Sequence, residues 1–191
     1  MPTTGPGAPD PLEDLLGPVV SEASTEGACW ERGAAGEELT ARLLAPLADV
    51  GWTVLHDRRV PGSPANIDHL AIGPAGIFVI DTKAWRGELR LLDDGQLWYG
   101  PVPFDEVLAR LRWEAGEVDL GLRRRLDQPV AVEPVLCLHG PTLPVEPLCL
   151  SGVAVVTGAS LLSFLVGTAA SGQVLDPVKV GCTAEEIFPI R

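Results

Sequence analysis

Apolar side chains recur at two different spacings along the chain, which predicts both helices and strands. Spacings of three and four residues predict helices over Gly33–Leu47 and Phe104–Leu126, each with one buried face. Short apolar runs predict strands over Trp52–Val60, Val130–Leu138 and Gly152–Thr157. Helices and strands in this order predict an α/β layer architecture with a mixed sheet.

The strongest local signal is a hairpin in the middle of the chain. The apolar runs Asn66–Gly73 and Ile77–Trp85 flank a Gly-Pro-Ala-Gly turn. A turn centred on Pro74 and Ala75 sets the register and places four pairs opposite one another: Ile72 with Ile77, Leu70 with Val79, Asp68 with Asp81, and Asn66 with Lys83. One face of the hairpin is therefore expected to be apolar near the turn and charged at its far end.

Smaller elements complete the prediction. Glu88–Leu92 and Leu97–Tyr99 flank an Asp-Asp-Gly turn, which is typical of a second hairpin. Ala159–Val166 is expected to form a short helix, and Thr183 is expected to cap a last helix over Ala184–Ile187.

Composition indicates one domain preceded by a tail. The 191 residues are 46% hydrophobic and 21% charged, which is typical of a globular protein. Residues 1–26 are rich in Pro and Gly, and they carry five acidic side chains and no Lys or Arg. We therefore expect a poorly ordered acidic tail over residues 1–27, in which Leu12–Val20 can dock as a short helix, and a single domain over residues 28–191.

The charge and the apolar runs limit the protein's partners. A net charge of −12 excludes proteins that coat nucleic acid through bulk positive charge, but it allows one local phosphate-binding site. The first residues lack the basic and apolar regions of a secretory signal, so we expect a cytoplasmic protein with reduced cysteines. Residues 147–175 carry no charge and are long enough to span a membrane, but their glycines and their flanks argue against it.

Asp68, Asp81 and Lys83 are the main candidates for chemistry. In the expected register the two carboxylates face each other, and like charges in that position destabilise a sheet. Lys83 supplies one countercharge, and a divalent cation with oxygen ligands supplies a better one. Glu37 lies at the edge of the buried face of the first helix, where it either turns toward the sheet or interacts only with the helix dipole. A solvated location of both aspartates is the alternative, and their apolar neighbours argue against it.

Two segments carry a family resemblance: GAAGEELTARLL (33–44) and NIDHLAIGPAGIFVIDTKAWRG (66–87). They contain G-x-x-G-E, then N-I-D-H, then D-x-K followed by an aromatic residue and Gly. This pattern resembles the nuclease-related domain (NERD) family, a branch of the PD-(D/E)xK nuclease-like superfamily, and the match covers about residues 33–92. The sequence departs from the superfamily pattern in one respect. The superfamily often carries a Gln or Lys on the helix after the D/E-x-K strand, and we assign no such residue in helix Phe104–Leu126.

The resemblance implies both a fold and an activity. The fold is a restriction-endonuclease-like three-layer core, in which a mixed β-sheet is flanked by helices. The activity is hydrolysis of phosphodiester bonds in DNA, or in RNA as the alternative, with Mg²⁺ or Mn²⁺ as the cofactor. Asp68 and Asp81 would hold the metal, with the carbonyl of Thr82 and Glu37 completing the shell, and Lys83 would orient the attacking water.

Other residues have expected roles around this site. Asn66 and Trp85 are expected to support or pack against the ligands. Arg59 and Arg86 are the candidates for contacts with substrate phosphates. His69 is expected to point to the opposite face of the sheet and to be structural.

Several alternatives stay open from the sequence. The fold is also compatible with a catalytically silent module for protein interaction or regulation, and residues 147–175 with membrane attachment. Cys137 and His139 are compatible with a zinc site, although structural zinc ligands usually come in close pairs. Because the chain is acidic, a protein partner is a possible source of basic surface. No GxSxG, HExxH, P-loop or GxGxxG motif supports another catalytic class.

Overall fold

The computed structural model describes the following residues: 22–85, 89–93, 96–99, 102–168 and 176–191, with backbone alone for 22–32 and 102. The chain divides into two units, Met1–Glu31 and Arg32–Arg191, and the strands lie in the second unit. The helix expected over Leu12–Val20 lies outside the described residues.

Four α-helices and nine strands follow one another within the described residues. The helices are α1 (Glu22–Leu44), α2 (Asp105–Leu126), α3 (Leu161–Gly167) and α4 (Pro177–Ile187), and a 3-10 helix spans Ala45–Val50. The strands are β1 (Thr53–Arg59), β2 (Asn66–Gly73), β3 (Gly76–Ala84), β4 (Leu89–Leu91), β5 (Leu97–Tyr99), β6 (Val102–Pro103), β7 (Val132–His139), β8 (Leu148–Leu150) and β9 (Val153–Thr157).

Six of the strands form a mixed sheet in the order β1–β2–β3–β7–β9–β8. β3, β7 and β9 are parallel to one another, whereas β1, β2 and β8 are antiparallel to their neighbours. Strands β4, β5 and β6 form a separate antiparallel sheet. The carboxyl ends of the three parallel strands therefore meet at one edge of the larger sheet.

Hydrophobic clusters cover both faces of the larger sheet. On one face, called the α2 face below, Leu70 and Val79 pack with side chains of α2 and α4. On the other face, called the α1 face, Phe78 and Ile80 pack with Leu44 of α1 and with side chains of the 3-10 helix and α3. The result is the three-layer α/β core with a mixed sheet that the sequence predicts.

The β2–β3 hairpin has the predicted register near its turn. The ladder extends from the turn only as far as His69 and Ile80, and the pairs closer to the turn are Leu70 with Val79, Ala71 with Phe78, Ile72 with Ile77, and Gly73 with Gly76. The expected pairs further from the turn lie beyond this ladder. Asn66 is paired with Arg59 of β1, and not with Lys83. The extrapolation of the register to the charged end was therefore wrong, because the two strands diverge there.

Helix α1 begins at Glu22, within the segment expected to be a poorly ordered tail, and not at Gly33. It ends at Leu44, three residues earlier than expected. Pro46 follows in the first turn of the 3-10 helix, a position that tolerates the missing backbone N–H.

Helix α4 begins earlier than expected. Asp176 caps it, because its carboxylate accepts hydrogen bonds from the backbone N–H groups of Val178 and Lys179. Thr183 lies inside the helix and donates to the carbonyl of Lys179, so the predicted cap at Thr183 was wrong.

The uncharged run forms short elements. Its described part, up to residue 168, contains β8, β9 and the seven-residue helix α3. Of the helices that the structure describes, none is both long enough and apolar enough to cross a membrane.

Candidate active site

Helix α1 approaches strand β3 most closely at Gly36. A Cβ atom on this residue would lie 2.7 Å from Cβ of Ala84 and 3.3 Å from Cγ2 of Thr82. A glycine is needed because any side chain would push the helix away from the strand. The close approach brings the following residue, Glu37, to the edge of the sheet.

Glu37 is half-buried and faces the charged end of the hairpin. Burial raises the pKa of its carboxyl group, and the positive charge of Lys83 opposes that rise. The negative charges of Asp57 and Asp81 raise the pKa further. Glu37 therefore belongs to the same electrostatic cluster as the two residues of the D-x-K motif.

Asp68 lies where β2 separates from β3. Its Oδ2 atom accepts a hydrogen bond of 2.9 Å from the backbone N–H of Thr82. Burial raises the pKa of Asp68 to about 7, with a further contribution from the charge of Asp81. The hydrogen bond from Thr82 and the charge of Lys83 only partly offset this rise. Asp68 and Asp81 are thus brought together, although they are not a pair in the ladder.

Asp81 is 5% exposed and contacts two cations. Lys83 Nζ lies 2.5 Å from its Oδ2, and Nη2 of Arg110 donates to its Oδ1 at 3.0 Å. Lys83 Nζ also donates to the backbone carbonyl of Thr82 at 3.2 Å. Both carboxylate oxygens of Asp81 are therefore engaged in ion pairs.

Arg110 and Glu114 of α2 were not predicted from the sequence. Glu114 is 3% exposed, and its Oε1 lies 3.5 Å from Nε of Arg110. Burial and the charge of Asp81 raise the pKa of Glu114 to about 7. The available signal was the position of Glu114 three residues after Leu111 and four before Val118, inside the predicted apolar stripe.

A buried hydrogen-bonded chain supports Thr82 from the α1 face. The hydroxyl of Thr82 donates to the hydroxyl of Thr40 at 3.0 Å. The Thr40 oxygen in turn lies 2.7 Å from Nε2 of His139, and 3.8 Å from Sγ of Cys137. This chain links α1, β3 and β7 directly behind the D-x-K motif.

The ligand chemistry of this site fits a hard cation. The carboxylates of Asp68, Asp81 and Glu37 and the carbonyl of Thr82 are oxygen donors, which suit Mg²⁺ and Mn²⁺ better than softer metals. Burial and the charge of Asp81 raise the pKa of Asp68, and the charge of Lys83 opposes this rise only in part. In the described residues, however, no three His, Cys, Asp or Glu side chains are arranged to hold a metal, and this includes Cys137 and His139.

The remaining predicted residues have varied environments. Trp85 packs between Tyr99 and Phe104, with ring centroids 4.5 and 4.8 Å away, which agrees with a packing role. Asn66 has a buried Oδ1 atom at the start of β2. Arg59 is exposed at the end of β1, and Arg86 lies outside the described residues.

His69 has the structural environment expected for it. Its ring is 2% exposed, and its Nδ1 lies 2.8 Å from Nδ1 of His56 on β1. Burial lowers the pKa of His69 to about 3, so the ring is neutral at physiological pH.

Comparisons with known proteins agree with this architecture. The nuclease-related domain matches residues 32–139, which is more than half of the chain. The chain therefore belongs to the nuclease-related domain family, whose general placement is the PD-(D/E)xK superfamily.

Individual relatives add little beyond the family. An uncharacterised protein of Bacillus anthracis is 39% identical over 59 residues, which are 29% of this chain. The chain covers only 28% of that relative's length. No solved structure matches the chain significantly.

Proposed function

We propose that this chain is a metal-dependent nuclease that hydrolyses phosphodiester bonds in DNA. The divergence of β2 and β3 carries the proposal, because it gathers Asp68, Asp81 and Lys83 around the backbone of Thr82. Membership of the nuclease-related domain family supports the same class of reaction.

Asp68 and Asp81 are the proposed metal ligands, with Glu37 and the Thr82 carbonyl as further donors. A bound Mg²⁺ or Mn²⁺ would polarise the scissile phosphate and lower the pKa of a water molecule. Lys83 is the proposed group that orients this water and stabilises the developing negative charge. Its ammonium is already held at the centre of the cluster by Asp81 and the Thr82 carbonyl.

The charge balance of the cluster supports a divalent cation. Five carboxylates interact electrostatically in this region, against three cationic side chains: Glu37, Asp57, Asp68, Asp81 and Glu114, with Lys83, Arg110 and Arg191. Burial and the neighbouring charge of Asp81 raise the pKa values of Asp68 and Glu114. A divalent cation would remove this imbalance once Lys83 and Arg110 release Asp81.

A catalytically silent regulatory module is the second candidate. The observation in its favour is that both oxygens of Asp81 are engaged, by Lys83 and by Arg110. In such a module the two ion pairs would be permanent, and Asp81 would not exchange them for a metal.

The overall charge bears on how the substrate is held. At −12, the chain repels a polyanion at long range, so binding depends on local cations or on a partner with a basic surface. We therefore propose that efficient cleavage needs low salt when the chain acts alone.

The test is cleavage by the purified full chain. Single- and double-stranded DNA and RNA are incubated at low salt with Mg²⁺, Mn²⁺ or EDTA. Lys83→Ala is compared with Lys179→Ala, which removes an exposed lysine on α4. We expect metal-dependent cutting of DNA, a loss of about 100-fold or more in Lys83→Ala, and no change in Lys179→Ala.

Each other outcome has a distinct meaning. Preferential cutting of RNA would overturn the substrate assignment alone. Equal cutting by both variants would contradict the role of Lys83. No cutting by the wild type, together with no Mn²⁺ binding, would favour the silent module.

A further inference from the structure

Arg110 differs in its accessibility from Lys83, the other cation that contacts Asp81. Its side chain is 53% exposed, whereas the side chain of Lys83 is 21% exposed. Arg110 extends from α2 across the α2 face, with its Nη2 on Asp81 and its Nε beside Glu114. Of the two cations that contact Asp81, it is therefore the one that solvent, and hence a polyanion, reaches more easily.

Arg110 is one of two cations on the carboxylate of Asp81. Lys83 already lies 2.5 Å from the other oxygen of the same carboxylate, and it is less exposed. The side chain of Asp81 is only 6% exposed, so water screens its ion pair with Arg110 only in part. Arg110 therefore partly compensates two buried carboxylates while about half of its side chain stays accessible to a phosphate from solution.

The chemistry of guanidinium fits a phosphate ligand. Arg carries five N–H donors in a planar fork that matches the oxygens of a phosphate, and it stays charged at all relevant pH values. The contacts to Asp81 and Glu114 involve two of its three nitrogen atoms, Nη2 and Nε. A guanidinium held in this way by carboxylates can exchange one of them for a phosphate of similar geometry.

Glu114 has the properties of a residue that positions this guanidinium. It is buried one helical turn after Arg110, on the face of α2 that packs on the sheet. A carboxylate fixed in this position keeps its contact with Nε of Arg110 while Nη2 exchanges Asp81 for another acceptor.

We propose that Arg110 binds a backbone phosphate of the nucleic acid next to Asp81, and that Glu114 positions it. This inference rests on the proposed nuclease function, and it extends that function by assigning the local cation through which an acidic chain holds its substrate. Arg110 exchanges its contact with Asp81 for a contact with the phosphate, and it keeps the contact with Glu114.

The test measures binding without cleavage. A short DNA duplex is titrated with the full chain in EDTA at several salt concentrations. Each phosphate contact contributes about 0.9 to the slope of log K against log salt. Arg110→Ala should lower the slope by about one unit and weaken binding.

Two variants serve as controls. Arg112→Ala makes the same charge change on the same helix, at an exposed side chain that donates to the carbonyl of Ser151, and it should leave the slope unchanged. Arg110→Lys keeps the charge but loses the planar fork, so it should keep the slope and lower the affinity severalfold. Thermal unfolding of all three variants shows whether they are folded.

The outcomes separate this inference from the proposed function. If the wild type cuts DNA with metal but Arg110→Ala has the wild-type slope, the inference is wrong and the nuclease function stands. An equal loss of slope in Arg110→Ala and Arg112→Ala would mean a diffuse charge effect, which also overturns the inference. If the wild type neither binds nor cuts DNA, the proposed function and the inference fail together.

Discussion

The carboxylate of Asp68 accepts a hydrogen bond of 2.9 Å from the backbone N–H of Thr82. This contact lies just beyond the end of the β2–β3 ladder. The carbonyl of Thr82 accepts a hydrogen bond from Nζ of Lys83, and its hydroxyl donates one to the hydroxyl of Thr40. A residue between the two charged members of a D-x-K motif thus connects three of the groups around it. The site depends on this local divergence of two strands, and not on a regular cross-strand pair.

The close approach of α1 to β3 at Gly36 gives a first prediction. In Gly36→Ala the new Cβ would lie 2.7 Å from Cβ of Ala84, so the helix must shift. Overpacking of this kind costs about 1–3 kcal/mol, and we expect that loss in the free energy of unfolding from urea titration. Metal affinity should fall as well, because Glu37 moves with the helix.

Gly33→Ala is the matched control for Gly36→Ala. A Cβ at Gly33 meets no atom within 4 Å. This variant should be neutral or more stable by up to about 1 kcal/mol, because alanine favours the helix. Equal stability of the two variants would contradict the steric role of Gly36.

In the hairpin, the sequence predicts the strand pairs near the turn but not the point at which the pairing ends. The alternation of apolar residues and the turn give the correct pairs Leu70–Val79 and Ile72–Ile77, because burying one face fixes the register. Nothing in that alternation reports that β2 leaves β3 after His69. Beyond His69 the side chain of Asp68 accepts a hydrogen bond from the backbone N–H of Thr82, a contact that a strand pattern does not contain.

Helix α2 shows a different limit. Its apolar period correctly predicts the buried residues Leu108, Leu111 and Val118. The same period places Glu114 in the buried stripe. A buried ionisable residue indicates a candidate functional site. Arg110 carries no such signal, because an arginine on an exposed helix face is ordinary until the partner Asp81 is known.

The buried carboxyl group of Glu114 gives a pH-dependent prediction. Its pKa is about 7 in the folded protein, against an ordinary value of 4.5. Between these values the folded protein binds more protons than the unfolded chain, so stability falls as the pH rises through this range. The loss of stability from ionising Glu114 is complete above about pH 7 and absent below about pH 4.

Glu114→Gln should therefore raise the free energy of unfolding at about pH 8, by about 1–3 kcal/mol, and not at about pH 4. Urea titrations at the two pH values measure the difference. Glu117→Gln, at a more exposed position on α2, should show no such pH-dependent gain. A Glu114→Gln variant that is equally affected at both pH values would contradict the assignment.

The chain of hydroxyl groups behind the site gives a further prediction. Thr40→Val removes the partner that Thr82 and His139 share, and it leaves buried polar groups unpaired. We expect a loss of about 1–3 kcal/mol in the free energy of unfolding. Thr40→Ser keeps the hydroxyl and should recover most of this loss. If valine and serine are equally tolerated, the chain is not structurally important.

Asp68 and Asp81 are the proposed ligands of a divalent cation, and calorimetric titration with Mn²⁺ measures whether they bind one. The wild type should bind one Mn²⁺, as should Asp49→Asn, which removes an exposed carboxylate on the 3-10 helix. Asp81→Asn should lose this binding while it stays folded. Mn²⁺ binding by Asp81→Asn with the wild-type affinity, or no binding by the wild type, would mean that these two carboxylates do not form the metal site.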